Sequence, residues 1–190
     1  MPPIRNAAAT REKLLAAARS RFLQESYESV GLRDVARDVG VDVALIGRYF
    51  GSKEKLFRAV LNNQEGNWGG LGLAAADLAD SLAEMLSDRS HDTEHVERLL
   101  IMLRSAASPQ AAAIVSSTFQ DDVLEPLAKI IGGADAQAHA AMALGIMMGT
   151  KVVRTFIGLD DACQLEPDAF HDKIVDILRL ALSPLEERVG

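Results

Sequence analysis

Between residues 31 and 53 the chain carries side chains suited to gripping nucleic acid: Arg33, Asp42, Arg48, Tyr49 and Lys53, set among Val43, Ala44, Leu45 and Gly47. Basic side chains neutralise phosphates, and residues at the start of a helix can reach base edges in a major groove. The stretch GLRDVARDVGVDVALIGRYF (31–50) must position them. Leu32, Val35, Ala36 and Val39 form one apolar stripe, so Arg33, Asp34, Arg37 and Asp38 point outward. Gly40 is placed to stop that helix. Asp42 can cap the next, and Val41 and Ile46 have the spacing of a hydrophobic staple. Helix, four-residue turn and short helix make a helix-turn-helix. Leu32, Val35, Ala36, Val39, Val41, Ile46 and Phe50 are its inside. Arg33, Asp42, Val43, Ala44, Leu45, Gly47, Arg48 and Tyr49 remain for DNA or water. Periodicity alone suits an ordinary helical corner equally well. Gly47 is out of place in any helix interior, where glycine costs roughly 1 kcal/mol against alanine.

Charge is divided along the chain. The net charge of −7 argues against nucleic acid, but residues 1–60 hold 11 Lys+Arg against 7 Asp+Glu, leaving 9 against 20 beyond them. A basic head on an acidic body points the head at an anionic partner.

Other chemistry has little support. His91 and His95 have the i, i+4 spacing of a metal clamp, with Asp92 and Glu94 nearby, yet SDRSHDTEH reads as a polar loop and helix start. His139 and His171 have no cysteine or nucleophile arrangement beside them. There is no GxSxG, no phosphate-cradling loop and no carboxylate pair of defined spacing. Neither an enzyme, a metal nor a cofactor is expected. Cys163 is the one cysteine, which suits a reducing compartment. The longest apolar run, residues 140–150, is too short to span a bilayer, and MPPIRNAAATREK has no signal-peptide stretch. A cytoplasmic chain with no membrane partner is expected.

The remaining elements are all helical. Thr10 is a candidate N-cap for a first helix ending near Glu25, with Leu14, Leu15, Ala18 and Phe22 on one face. Gly51 ends the third helix and Ser52 caps a fourth that buries Leu56, Phe57, Val60 and Leu61. After the glycine-rich GNWGGLG (66–72), Leu78, Leu82, Met85 and Leu86 mark a fifth, and Val96, Leu99, Leu100 and Leu103 a sixth. Ser108-Pro109 opens a seventh that runs to Gly132-Gly133 with a kink or break at Pro126. Asp135 caps an eighth reaching about Ile157, and Pro167 to Ser183-Pro184 bound a ninth. No stretch alternates with period two, so the expected fold is all-α with about nine helices.

The segment 10–61 resembles the N-terminal domain of the TetR family of transcriptional regulators. The resemblance lies in TRxxLLxAAxxxF, the LRDVAxxxGV core and the YFxSKExLF tail. It implies a DNA-binding domain over 8–68 and an effector-binding, dimerising domain over 69–190. It further implies a homodimeric repressor on a palindromic operator, released by a small molecule. By the same resemblance Arg33 reaches phosphate, Asp42 to Leu45 begin the recognition helix, and Tyr49 and Lys53 contact the DNA backbone. A helix N-terminus independently favours phosphate at Lys53. The pattern also departs from the family. Gly31 stands in place of a hydroxyl cap, Gly47 in place of a tyrosine, Ser26 in place of a turn glycine, and Leu45 in place of a smaller residue. An alternative is therefore a small-molecule-binding or interaction protein with a weakened DNA-binding head.

For an effector pocket the candidates are Leu61, Gln64, Trp68, Leu82, Met85, Leu103, Phe119 and Met142, because methionine and tryptophan near glycine-rich connections suit an adaptable apolar ligand. The family's dimers pair their last two helices. That places Ala141, Gly145, Gly149 and Val152 of the eighth helix at the interface, with Phe170, Ile174, Ile177 and Leu178 of the ninth.

Overall fold

The computed structural model of the chain describes residues 4–62, 77–87, 92–157 and 166–183. Leucine, alanine and phenylalanine at four-residue intervals set the first helix, α1 (Ile4–Gln24), where Leu14, Ala18 and Phe22 are buried. It begins earlier than a Thr10 cap would allow. Ala7, Ala8 and Ala9 are strong helix formers and carry it back to Ile4. Three short helices follow: α2 (Leu32–Val39), α3 (Ala44–Phe50) and α4 (Lys53–Leu61). Then come α5 (Leu78–Ser87), α6 (Asp92–Ser105) and α7 (Pro109–Phe119). A π-helical turn (Gln120–Leu124) leads into α8 (Glu125–Ile131), and α9 (Ala136–Ile157) and α10 (Pro167–Leu182) complete the described elements. No strand occurs among the described residues. With the interrupted rod 109–131 taken as one, they make the nine helices expected.

The break at Pro126 has a direct cause. Proline has no N–H for the carbonyl one turn back, so the α-ladder cannot run through it. The chain widens into the π turn before it and restarts with Pro126 in the first turn of α8.

The chain divides into two compact units: Met1–Gly66 with Glu97–Phe119, and Asn67–Val96 with Gln120–Gly190. A single cut near residue 68 describes the chain order, while packing places most of α6 and all of α7 with the head. The first unit is centred on three aromatic rings. Phe22 and Tyr27 each meet Phe57 edge-on, at 4.8 and 4.9 Å between centroids. Val35, Ala36, Ile46, Phe50, Leu56, Ile101 and Ala111 surround them. Polar bonds add to this packing: Arg19 pairs with Glu97 at 2.9 Å, Arg104 donates to the Gln24 carbonyl at 2.7 Å, and Gln110 donates to Glu54 at 2.9 Å. Arg58 reaches Ser117 and Thr118 at 3.0 and 3.1 Å. On α6 Val96 of the expected stripe is buried and Leu99 half-buried, but Arg98, Ile101 and Ser105 are also buried while Leu100 and Leu103 face outward.

In the second unit α10 packs on α5 and α9. Leu78, Leu82 and Leu86 of α5, Ala136, Ala140 and Ala143 of α9, and Ile174, Val175 and Leu178 of α10 are buried. His139 is buried with Nδ1 2.8 Å from the Ala181 carbonyl, a donor-acceptor bond joining α9 to α10. Arg154 stacks over Phe170 at 4.3 Å and donates to the Leu86 carbonyl at 3.1 Å, closing an open carbonyl near the end of α5.

Arg21 fixes α1 to α2. Its guanidinium grips Asp38 through two bonds of 2.5 and 2.8 Å and also reaches Glu25. The Arg21 hydrogen bond holds the Asp38 carboxyl below its usual value. A depressed folded pKa stabilises the fold above the unfolded value, about 4, and that contribution is lost as the pH falls through the folded one. Asp38→Asn should therefore lower the urea midpoint at pH 7 and narrow its difference from wild type as acid is added. An equal deficit at every pH would contradict the charge-assisted pair.

Candidate nucleic-acid interface

A seven-residue helix cannot stand alone in water, so α3 is held at both ends. Upstream, Gly40 takes the left-handed conformation (φ 72°) that branched residues avoid. Its N–H bonds the Arg37 carbonyl at 3.1 Å, and that of Val41 bonds Ala36 at 3.0 Å. This double closure turns the chain from α2 into the linker. Asp42 Oδ1 then accepts the Ala44 N–H at 2.7 Å. Downstream, Gly51 (φ 82°) bonds back to the Gly47 carbonyl at 2.9 Å. Ser52 caps α4 by accepting the Lys55 N–H at 3.2 Å. Between these anchors Ile46 and Phe50 are buried, and the Arg11 guanidinium lies over the Phe50 ring at 5.2 Å.

The other face of α3 and its approach is open. Asp42, Val43, Ala44, Gly47 and Arg48 are exposed, as is Arg33 on α2, while Leu45 and Tyr49 are half-buried. Tyr49 packs on the edge of the core. Elsewhere in the head arginines are engaged. Arg11 is near Glu12 at 3.6 Å, Arg19 pairs with Glu97, Arg21 with Asp38, Arg37 with Asp34, and Arg58 bonds two hydroxyls. Among the described arginine side chains of α1 to α4, Arg33 and Arg48 alone have no such partner. Two exposed guanidiniums are thus left for an external anion.

Lys53 is placed differently from a free phosphate anchor. Its ammonium donates to the Glu28 carbonyl at 3.2 Å and lies 4.6 Å from the Tyr27 ring centre. Burial pushes its pKa below the usual lysine value, with Glu28 and Glu54 opposing that shift. Lys53 braces the turn after α1 against the start of α4. Burial likewise raises the Tyr27 phenol.

Gly31, at the N-cap of α2, offers no side chain to the helix. A residue missed in the sequence takes that space. Asp34 Oδ2 stands 2.6 Å from where a β-carbon on Gly31 would be. The acid three residues after the cap was the available signal.

The remaining candidates separate into two groups. Leu61 and Leu82 are fully in the cores and Met85 and Phe119 half-buried, but Leu103 and Met142 are exposed, and Gln64 and Trp68 lie outside the described residues. Leu61, Leu103 and Phe119 belong to the first unit, and Leu82, Met85 and Met142 to the second. The GNWGGLG connection, His91, Cys163 and the side chain of His95 also lie outside the described residues. Of the interface candidates, Ala141, Gly145, Gly149 and Ile177 are exposed, and Val152 and Phe170 half-buried. Ile174 and Leu178 instead belong to the core of their own unit; Leu180 is the more exposed apolar residue of α10, at 78%. Among the described residues no group of His, Cys, Asp and Glu could hold a metal, and no helix is long and apolar enough to cross a membrane.

Two family profiles match the chain. One described as "Bacterial regulatory proteins, tetR family" covers residues 14–60, and one described as "Tetracyclin repressor-like, C-terminal domain" covers residues 76–182. No curated protein matches. Among solved structures, NalD of Pseudomonas aeruginosa, the secondary repressor of the MexAB-OprM multidrug efflux pump, is 18% identical with a TM-score of 0.63, covering 92% of this chain and 97% of that one. A transcriptional regulator from Rhodococcus sp. Rha1 is 19% identical with a TM-score of 0.58, covering 90% and 95%. A TetR-like regulator from Rhodococcus sp. RHA1 is 18% identical with a TM-score of 0.55, covering 96% and 98%. At these identities the likeness is one of fold.

Gly47 lies inside α3 without a positive φ, and a β-carbon there would meet nothing within 4 Å. Neither backbone conformation nor internal packing requires glycine. Gly47→Ala should accordingly raise the stability of the free protein by up to about 1 kcal/mol in thermal or urea unfolding. A loss of stability would mean that α3 is strained at this position.

Proposed function

Because the chain belongs to the TetR family of bacterial regulators, we propose that it is a ligand-responsive transcriptional repressor that binds a palindromic operator as a homodimer. The observation that carries the DNA-binding part is the pair of unengaged guanidiniums, Arg33 and Arg48, on a head whose other described arginines have partners. They flank an exposed helix face that is pinned at both ends. Arg33 reaches a phosphate, α3 lies in the major groove, and Lys53 acts chiefly as a brace that holds α4 in place. The role is regulatory rather than catalytic, in the cytoplasm, with a small molecule bound by the C-terminal part releasing the DNA.

The exposed apolar residues of the second unit support assembly. Ala141, Gly145 and Gly149 leave one side of α9 flat, and a β-carbon on either glycine would meet nothing within 4 Å. Met142 on α9 and Ile177 and Leu180 on α10 are 42%, 45% and 78% exposed. A second copy of the chain packed on α9 and α10 would cover them, with Ile177 and Leu180 replacing the inward Ile174 and Leu178 as the α10 contribution.

Salt dependence tests the first part. The logarithm of operator affinity should fall linearly with the logarithm of salt, and Arg33→Ala should flatten that slope by roughly 0.9 per lost phosphate contact in each head. Its thermal stability should be unchanged, because Arg33 has no partner in the fold. Lys53→Ala should lower stability as well as affinity. An unaltered slope for Arg33→Ala would remove Arg33 from the interface.

Sedimentation tests the second. Gly149→Trp fits the open face of a single chain, so folding should persist while close approach of a second copy is blocked. The variant should sediment as a monomer and lose operator affinity, since two half-sites need two heads. An intact dimer would place the interface elsewhere.

A further inference from the structure

The open face of α3 contains few groups able to read a base by hydrogen bonding. Asp42 is exposed, but its Oδ1 already accepts the Ala44 N–H at 2.7 Å, and it is an anion beside a polyanion. Gly47 has no side chain, and Tyr49 is packed on the core edge. Arg48 is the one exposed side chain on the helix with donors to offer. The residues that lead the helix are Val43, 37% exposed, and Ala44, also exposed, and both end in methyl groups alone.

In the major groove, bases present donors, acceptors and one apolar feature, the C5-methyl of thymine. Methyl side chains cannot satisfy the first two and can pack on the third. Gly47 adds a place where the helix backbone approaches without a side chain between, and nothing inside the protein accounts for the glycine. Resting on the reading of α3 as a recognition helix, we infer that the operator half-site is distinguished by thymine C5-methyl groups packed against Val43 and Ala44. Hydrogen-bonded reading is confined to Arg48, which suits the paired acceptors of a guanine. The partner is therefore duplex DNA whose half-site sets thymine next to a G·C pair. Its specificity is more apolar than the charge of the head suggests.

The full chain is used to enrich binding duplexes from a randomised 30-bp library, and the selected duplex is then remade with single changes. Uracil in place of one contacted thymine removes only the methyl and should weaken binding about three- to ten-fold, the worth of one apolar carbon to two. Replacing that T·A pair with C·G should weaken it at least as much. The same pair bearing 5-methylcytosine should return to within about two-fold of thymine, because it restores the methyl at the same place. Val43→Ala lies on the surface and keeps the fold; it should show a smaller penalty than wild type for uracil at the thymine that Val43 contacts. Indifference of the wild-type chain to uracil at every thymine would overturn the inference while leaving sequence-specific DNA binding intact. So would full uracil sensitivity persisting in both Val43→Ala and Ala44→Gly. Failure to enrich any duplex would instead overturn the reading of the chain as a DNA-binding regulator, and this inference with it.

Discussion

The head is organised around a helix that cannot form unaided. Seven residues, one of them glycine, fall short of the length at which an isolated helix is stable. α3 exists because the chain on either side holds it. Gly40 and Asp42 close its start, Gly51 and Ser52 close its end, and Ile46 and Phe50 fasten it to a core whose centre is Phe22, Tyr27 and Phe57. The aromatic trio also sets α4, because Phe57 lies on that helix and Lys53 at its start bears on the Tyr27 ring. One cluster of rings therefore fixes the orientation of the helix that carries the exposed face proposed to read DNA.

Polar groups in the head follow the same division between support and contact. Arg19, Arg21 and Arg104 tie α1 to α2 and α6, and Arg58 ties α4 to α7. Such exposed or half-exposed pairs each contribute little to stability, but together they fix the angles between short helices. Lys53 belongs with this bracing set despite its place at a helix N-terminus. A basic residue at such a terminus was the reason to expect a phosphate contact, and the Glu28 carbonyl takes one of the three donors of its ammonium.

Much of this was legible in the residue order, for reasons local to the chain. Glycine, proline, serine and aspartate at helix ends act within a few positions of themselves. Gly40, Gly51, Asp42, Ser52, Ser108 and Pro126 could thus be placed before any packing was known. The buried faces of α2 and α4 followed from spacing because each has one apolar stripe. α6 has several, and Leu99, Leu100, Leu103 and Ile101 compete for the inside. Which wins depends on α1 and α7, residues distant in sequence. The same limit applies to α10, where Ile174, Ile177 and Leu178 share one periodic run and only the packing on α5 and α9 separates the inward two from the outward one. The Arg21–Asp38 grip spans 17 residues, and no local pattern points to it. The start of α1 was misplaced because Thr10 is a good cap, but alanines before it favour continuing the helix.

The carboxylate of Asp34, folded over the glycine that begins α2, bears on the time the protein would need to find its target. On the proposed reading, that helix end approaches the DNA strand. A carboxylate there in place of a hydroxyl, its charge offset only in part by the Arg37 it pairs with, weakens attachment to DNA of every sequence alike and leaves the contacts of α3 with the bases intact. Shorter stays on the wrong DNA leave a larger share of the protein free to reach its operator. The obstructing atom is the tip of a rotatable side chain. A serine at position 31 could therefore be accommodated, lengthening each encounter with DNA of the wrong sequence.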